Sequence, residues 1–315
     1  MTTESVCQGL VDECRSRPTL RAGSLITTVF GDSIAPRGGT VWLGSLISAM
    51  AEFGIKERLV RTSVFRLAKD GWLESNQVGR RSFYSITDEG RDRFRAATHR
   101  IYGEPGGDWD GKWCLLLISS LDASTREAVR RECGWLGFGA LSANTLAHPS
   151  PDNSDLELTL RRLDVDDDVV IIEGSTVDSD AAMRKLVRTA WNLDDIDKRY
   201  EHFVTMFRPM IAALKKSGAV TPRTAFVTRT LLIQEYRKAL LRDPQLPAEL
   251  LPSNWHGAPA YQLCRNLYSA LFRKTDEYLG EVMETADGPL PPPGAAYLQR
   301  FGGVQSDVTH KRKSA

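Results

Sequence analysis

Residues 43–86 carry two helical stretches joined at a glycine and followed at once by a short hairpin, and this order strongly constrains the fold. In the first stretch the apolar residues recur at spacings of three and four: Leu43, Leu46, Ile47 and Met50. Gly54 stands where a left-handed cap would end that helix. The second stretch begins near Lys56 and ends at Gly71. The pattern predicts a helix-turn-helix followed by a β-hairpin.

The second of these helices has one apolar and one basic face. Val60 and Val64 lie on the apolar face. Basic and hydroxyl side chains dominate the rest of it: Lys56, Arg58, Arg61, Thr62, Ser63, Arg66 and Lys69. Arg80 and Arg81 stand at the turn of the hairpin. Because a helix fits the DNA major groove, we interpret these residues as a DNA-binding surface, against the alternative of a solvated basic face.

The composition is typical of an ordinary soluble protein, and the sequence shows no metal-binding or cofactor-binding motif. The 315 residues include 41 Lys+Arg and 40 Asp+Glu, and 42% are hydrophobic, which predicts two or three domains. There is no run of about 18 apolar residues and no secretory leader, so we expect a cytoplasmic protein with no membrane partner. Five cysteines at wide spacings, without C-x-x-C, predict a reducing compartment and no zinc site.

Breaks in the sequence pattern divide the chain into segments. We predict an α+β, multidomain protein with a winged helix-turn-helix domain over 18–104. A ferredoxin-like βαββαβ dimerisation domain is expected over 108–178 and a helical domain over 180–286. A Pro-rich linker and basic tail over 287–315 are expected to be flexible, and residues 1–17 read as polar and loosely held.

The near-zero net charge of the chain is the sum of two basic regions and one acidic region. Residues 1–107 carry 15 basic and 12 acidic residues, a net of +3, and residues 191–315 carry 17 and 13, a net of +4. The middle, 108–190, carries 9 and 15, a net of −6. We expect this middle domain to pair two chains, and its acidic surface would also repel DNA and keep phosphate contacts on the winged helices. Asp122 is its best-placed candidate for a metal-dependent nuclease, the alternative for this domain.

Short motifs run in order through residues 20–285. They include Gly31-Asp32, Arg37-Gly38-Gly39, Trp42-Leu43-Gly44-Ser45-Leu46-Ile47, Gly71-Trp72-Leu73, Trp109-Asp110-Gly111-Lys112-Trp113, Trp135-Leu136-Gly137-Phe138-Gly139, Arg242-Asp243-Pro244-Gln245-Leu246-Pro247 and Trp255-His256-Gly257. This series resembles the PaaX family, repressors of phenylacetic acid degradation operons. The resemblance implies a homodimer on an inverted-repeat operator in double-stranded DNA. It also implies that phenylacetyl-coenzyme A (phenylacetyl-CoA) is the effector that releases the repressor from DNA, although some relatives respond to other aryl compounds.

Such an effector needs cationic groups for its phosphates and an apolar or aromatic slot for its ring. The candidate effector residues are Arg37, Arg229, Arg237, Arg242, Trp255 and His256. Each has a structural alternative, because the arginines can pair with Glu235, Asp243 or Glu249 and the tryptophan can simply pack.

Two other functions stay open at the level of sequence. One is a pathway enzyme, either a thioesterase or a nuclease on the middle domain, although no catalytic residue can be named. The other is a DNA-binding adaptor that takes no ligand. We predict a repressor and not an enzyme.

Overall fold

The structure, a computed structural model, describes residues 2–17, 22–106, 109–149, 151–176 and 180–304. It divides into two compact units. Unit 1 comprises Met1–Glu104, His202–Leu240 and Pro259–Ala315, and unit 2 comprises Pro105–Glu201 and Leu241–Ala258. The range 180–286, predicted to be a helical domain, contributes residues to both units.

The N-terminal segment of unit 1 is a packed helix, so the expectation of a loosely held segment over 1–17 is wrong. Helix α1 covers Thr3–Ser16, and Thr2 and Ser5 form a reciprocal cap at its start. Its buried residues include Val6, Leu10 and Val11, whose spacing puts them on one helical face. That face is covered by a helix from the far end of the chain, α10 (Pro222–Leu240).

The remaining N-terminal part of unit 1 holds four helices and a small sheet. Its elements are α2 (Ala22–Val29), a π-helical turn (Phe30–Ile34), a 3₁₀ turn (Ala35–Arg37), β1 (Thr40–Trp42), α3 (Leu43–Ala51), α4 (Glu57–Lys69), β2 (Leu73–Val78), β3 (Arg81–Ile86) and α5 (Asp88–Tyr102). The strands are antiparallel in the order β1-β3-β2. Thr87 caps α5 by accepting a hydrogen bond from the backbone N–H of Gly90.

The C-terminal residues of unit 1 pack where a flexible linker was expected. After α11 (Gly257–Val282) the chain forms β8 (Glu284–Thr285), β9 (Gly288–Pro289), α12 (Ala295–Leu298) and a 3₁₀ turn (Arg300–Gly302). Leu290, Tyr297 and Phe301 are buried. The prediction of a flexible segment over 287–315 is therefore wrong for 287–304, because its apolar side chains join the core of unit 1. The basic tail lies outside the described residues.

Unit 2 is built on a four-stranded antiparallel sheet. Its elements are β4 (Lys112–Leu117), α6 (Ala123–Trp135), β5 (Gly139–Ser142), β6 (Thr145–His148), α7 (Asn153–Arg162), β7 (Val170–Ser175) and α8 (Asp180–Ala190). The strand order is β5-β6-β4-β7, which leaves β7 at an edge. Cys114 and Leu116 face α6 and α7 in one apolar cluster. Unit 2 also holds the first residues of α9 (Leu193–Ser217) and a 3₁₀ turn (Ala248–Leu250).

Candidate nucleic-acid interface

Helix α4 is amphipathic, and its position in unit 1 leaves the basic side outward. Val60 and Val64 are fully buried, and the helix packs against α2 and α3. The turn from α3 to α4 contains Gly54 at φ +71°, a conformation that glycine adopts without strain. The apolar positions read from the sequence thus fix which side of α4 meets solvent.

The structure brings the predicted DNA-binding residues of α4 together on that outer side. Lys56, Arg58, Arg61, Thr62, Arg66 and Lys69 are exposed, and Ser63 is half-buried. Arg61 donates to Glu57 one turn earlier, at 2.8 Å. In the described part of the chain, Arg58 and Arg66 make no ion pair, so their guanidinium groups can bind an anion without first losing a partner.

Two large apolar side chains on the same surface were not singled out from the sequence. Phe65 has 68% of its surface exposed and Leu59 has 50%. Phe65 lies one turn after Arg61 and Thr62 and next to Arg66, within the basic surface. The signal was present in the helical periodicity, because Phe65 does not fall on the stripe of Val60 and Val64.

The two arginines of the hairpin have different surroundings. Gly79, at φ +59°, makes the turn between β2 and β3. Arg80 is exposed at this turn. Arg81 instead donates to Glu284 at 2.8 Å, and its guanidinium lies 4.3 Å from the ring centre of Trp42. Arg80 is therefore the readier of the two to contact a phosphate.

A cleft beside the start of α4 adds basic groups from α1. Its volume is about 460 Å³, and its lining includes Arg15, Arg17, Lys56 and Arg58. The guanidinium of Arg15 lies against Gly54, where an added Cβ would come within 2.8 Å of it. Sequence reasoning missed Arg15 and Arg17, because it treated residues 1–17 as unstructured.

Two of the candidate effector residues are enclosed in unit 1. Arg229 is completely buried, donating to Asp32 at 2.9 Å and to the Tyr297 hydroxyl at 2.6 Å. Arg37 donates to the Ser33 carbonyl at 2.8 Å and to Asp276. Protein groups therefore already pair with both guanidiniums, although Arg229 Nε is buried without a hydrogen-bond partner among the described residues.

Asp32 is the centre of this buried network. Its carboxylate accepts from Tyr102 at 2.7 Å, Tyr268 at 2.9 Å and Arg300 at 3.0 Å, besides Arg229. Burial by itself would raise the pKa of Asp32, but the two guanidiniums and the two hydroxyls outweigh it, so the pKa lies below its ordinary value. The carboxylate is thus ionised and joins α5, α10, α11 and the C-terminal turn to the π-helical turn.

Comparison with known proteins identifies the family. Residues 21–90 match the family described as PaaX-like protein, 106–186 the PaaX protein central Cas2-like domain, and 191–281 the PaaX-like protein C-terminal domain. The transcriptional repressor PaaX of Escherichia coli (strain K12) is 43% identical over 284 residues, which cover 89% of this chain and 90% of that protein. The chain belongs to the PaaX family. A solved structure, uncharacterized protein Rv0674 from Mycobacterium tuberculosis, is 25% identical with a TM-score of 0.49, over 75% of this chain and 90% of that one.

Three further effector candidates of this PaaX-family chain lie in unit 2, apart from Arg37, Arg229 and Arg237 in unit 1. His256 contacts Asp197 through its backbone N–H at 2.7 Å and through Nδ1 at 3.0 Å. Trp255 packs edge-on against Tyr200. Arg242 is exposed. The contacts of His256 and Trp255 hold in place the loop that follows the Arg242–Pro247 motif.

Asp122, the nuclease candidate of the Cas2-like domain, has a structural role. Asp122 caps α6 by accepting from the backbone N–H groups of Ser124 and Thr125, at 2.8 and 3.2 Å. These bonds and those from the two hydroxyls hold the Asp122 pKa well below its ordinary value. The run from Asp164 to Asp168 lies in an exposed turn. Among the described residues, no group of three or more acidic, histidine or cysteine side chains is arranged to hold a metal.

The thiols of this chain are not placed as nucleophiles. All five cysteines are buried and unpaired by disulfides. Burial raises the pKa of Cys133 to about 12 and that of Cys114 to about 11, so neither is a thiolate at neutral pH. Among the helices of the described residues, none is long and apolar enough for a membrane span.

Proposed function

We propose that this PaaX-family protein is a DNA-binding transcriptional repressor of a phenylacetate-type catabolic operon. The observation that carries the proposal is the exposed basic surface of α4, the second helix of a helix-turn-helix arrangement. The relative at 43% identity is named a transcriptional repressor, which supports the same role here. The protein acts in the cytoplasm, where operator DNA is found.

The N-terminal part of unit 1 works as a winged helix-turn-helix. Helix α4 enters the major groove, and Arg58, Arg61 and Arg66 reach base edges or phosphates. The β2–β3 hairpin is the wing, with Arg80 on the phosphate backbone. Arg15 at the cleft beside α4 adds a contact to the backbone, whereas Arg17 is held by Glu13 and Glu235.

The protein binds DNA as a homodimer paired through the ferredoxin-like domain of unit 2. On the side of the sheet away from α6 and α7, Val170 and Ile172 of the edge strand are 56% and 42% exposed, next to Leu115 and Leu117. A solvent-facing side of an antiparallel sheet ordinarily carries polar residues, so this apolar side favours a covering partner. Two-fold pairing of chains matches a palindromic operator.

Release from the operator follows binding of an aryl-CoA thioester, with phenylacetyl-CoA as the leading candidate. The thioester binds better to a form of the dimer whose two α4 helices are wrongly spaced for successive half-sites, and so shifts the population away from DNA. The mechanism requires only that the thioester binds the two forms of the dimer with different affinities.

The test uses the full-length protein and a labelled fragment of its own upstream region. Fluorescence anisotropy should give specific binding that phenylacetyl-CoA reverses and that CoA alone does not. Arg61→Ala and Arg66→Ala should each weaken binding by about 1–3 kcal/mol. Arg131→Ala, which removes an exposed arginine of α6, is the matched control and should have no effect.

Other results would select the other functions. No specific binding to any fragment of the region would overturn the repressor. Binding that no aryl-CoA reverses would indicate the ligand-independent adaptor. Hydrolysis of phenylacetyl-CoA, or DNA cleavage that needs a metal ion and Asp122, would instead indicate an enzyme.

A further inference from the structure

Two adjoining cavities in unit 1 lie between α5 and the segments that pack on it. The inner cavity has a volume of about 60 Å³ and the outer one about 240 Å³. Both are lined by Gly31, Phe94 and Thr98, so these residues form the wall between them. The two cavities together reach the lower end of the size range of ligand pockets, about 300–1,000 Å³.

The inner cavity is apolar with a few polar groups, the usual composition of a small-molecule site. Its apolar lining consists of Trp72, Phe94, Ala97, Ile101 and Ile233. Its polar lining consists of Thr27, Thr28, Asp32, Tyr102 and Arg237. The Asp32 carboxylate is already held by two guanidiniums and two hydroxyls, so it repels an anionic ligand less than a free carboxylate would.

Arg237 is the one cation among the described residues of the inner lining, and the group that it contacts there is a hydroxyl. Its Nη1 donates to Thr28 Oγ1 at 2.9 Å. Within the described residues, no carboxylate lies at ion-pair distance from it, unlike Arg229 nearby. Burial lowers its pKa, although a guanidinium stays charged. A largely buried charge of this kind is stabilised by an oxygen acceptor from a ligand.

The outer cavity is bordered by further basic side chains. Arg91 and Arg95 of α5 line it, together with Arg300. Arg91 and Arg95 are held only by exposed pairs with Asp88 and Asp92 on the same helix. Pairs of this kind are worth less than about 1 kcal/mol, so phosphate groups can replace the carboxylates as partners.

Phe94 separates the two cavities. Its ring lies against the bare Cα of Gly31, where an added Cβ would come within 2.9 Å of Cδ1. It also packs edge-on against Trp72, with 5.4 Å between ring centres. Since a cavity of about 150 Å³ is known to hold a benzene ring, the inner cavity takes a ring only when Phe94 rotates towards the outer one.

The backbone beside Gly31 is unusual in a way that points to the same place. Phe30–Ile34 form a π-helical turn that continues α2. Turns of this kind are rare and frequently occur at functional sites. The turn contributes Gly31 to both cavities and Asp32 to the inner one.

We propose that the two cavities form the binding site for an aryl-acyl thioester. The aromatic ring occupies the inner cavity, Arg237 donates to the acyl carbonyl oxygen, and Arg91 and Arg95 hold the phosphates at the mouth. This proposal rests on the proposed function for the identity of the effector, and adds its location and the residues that recognise it. The ligand then contacts α5, the helix that follows the β2–β3 wing, so occupancy bears directly on the DNA-binding part of the chain.

The experiment is calorimetric titration of the full-length protein with phenylacetyl-CoA, phenylacetate and CoA. Arg237→Met removes the cation and keeps a shorter unbranched side chain, whereas Ala97→Val narrows the inner cavity. Arg208→Met, at an exposed position of α9, is the matched control. Each variant must first bind the operator with wild-type affinity, which shows that it is folded.

We expect Arg237→Met and Ala97→Val each to weaken phenylacetyl-CoA binding at least tenfold and to raise equally the concentration that releases the operator. Arg208→Met should leave both unchanged. Binding of phenylacetate alone that is lost in Arg237→Met would support the site while indicating a free acid as the effector.

Wild-type affinity for the thioester in both folded variants would overturn this site and leave the proposed repressor intact. If wild-type protein binds the operator but none of the three compounds, the effector and the site are both wrong. Should Ala97→Val not fold, Thr98→Ile adds a carbon atom to the wall between the two cavities and serves as the second test of narrowing.

Discussion

Asp32 and Arg229 form an ion pair that solvent does not reach: Oδ2 and Nη2 are 2.9 Å apart, and the two side chains are 1% and 0% exposed. The pair joins a turn near the N-terminus to helix α10. Removing one partner of a buried pair leaves the other charge uncompensated. The resulting loss of unfolding free energy exceeds the net stabilisation that the intact pair provides. Substitution of either partner is therefore expected to destabilise unit 1 strongly.

Asp32→Asn should lower the free energy of unfolding by about 3–5 kcal/mol, because Arg229 and Arg300 lose their anion. Urea denaturation at pH 7 measures it. Glu277→Gln, in the exposed pair with Lys274, should cost less than about 1 kcal/mol. Since the pKa of Asp32 is lowered by folding, its contribution is present at neutral pH and is lost as pH falls below about 4. Equal losses of unfolding free energy in Asp32→Asn and Glu277→Gln would contradict this prediction.

The two wing arginines should differ in their effect on the salt dependence of operator binding. Arg80→Ala should reduce the slope of log affinity against log salt by about 1, because one phosphate contact is lost. Arg81→Ala should change it less, since Glu284 and Trp42 already hold that side chain. Anisotropy titrations at several salt concentrations measure both slopes, and a larger change for Arg81 would show that the wing rearranges on DNA.

Phe65 should contact the methyl group of a thymine, since an exposed aromatic ring on a major-groove helix can pack there. Replacing every thymine of the operator by uracil removes the methyls. Wild-type protein should then lose about fourfold in affinity per buried methyl, about 0.8 kcal/mol. Phe65→Ala should bind both fragments equally, whereas Arg66→Ala should keep the difference. A uracil effect that persists in Phe65→Ala would exclude this contact.

Ile172→Lys should dissociate the proposed dimer, because a charged side chain in a buried apolar interface is costly. Sedimentation or light scattering should give twice the chain mass for the wild type and the chain mass for the variant. Leu158→Lys, at a position of α7 that is 64% exposed, is the control and should stay dimeric. A dimer in both variants would place the interface elsewhere.

His148 should make unit 2 less stable in acid. Burial lowers its pKa from 6.5 to about 4, so the unfolded chain binds more protons between these values. Stability is then lost as pH falls from about 6.5 to about 4, by about 3 kcal/mol. In the His148→Gln variant, this loss of unfolding free energy with falling pH should be absent. Denaturant unfolding of both proteins at pH 7 and pH 4.5 measures it, and parallel pH profiles would argue against the assignment.

Local patterns were enough to locate several elements from the sequence. The predicted start of α4 near Lys56 and the end at Gly71 agree with its bounds of Glu57–Lys69. Thr87 and Asp152 cap α5 and α7 through their side-chain oxygens, as these residue types commonly do. These signals depend on residues within a turn or two of each other, and this is why sequence periodicity and capping rules capture them.

The sequence alone was a poor guide to contacts between distant segments. Arg229 and Arg37 were taken as ligands for an effector, because nothing local shows that Asp32 or Asp276 will lie beside them. The C-terminal segment was taken as a linker, although Arg300 meets Asp32 across 268 residues of chain.

By itself, then, the sequence located α3 and α4 with the basic face of α4, the order of strands and helices in the middle of the chain, and the PaaX resemblance. Only the tertiary structure decided which charges are buried and paired, that α1 and residues 284–304 belong to the core of unit 1, and that Arg81 pairs with Glu284 and Trp42. The reason is physical: propensity and periodicity act locally, whereas the burial of a side chain depends on what the rest of the chain places against it.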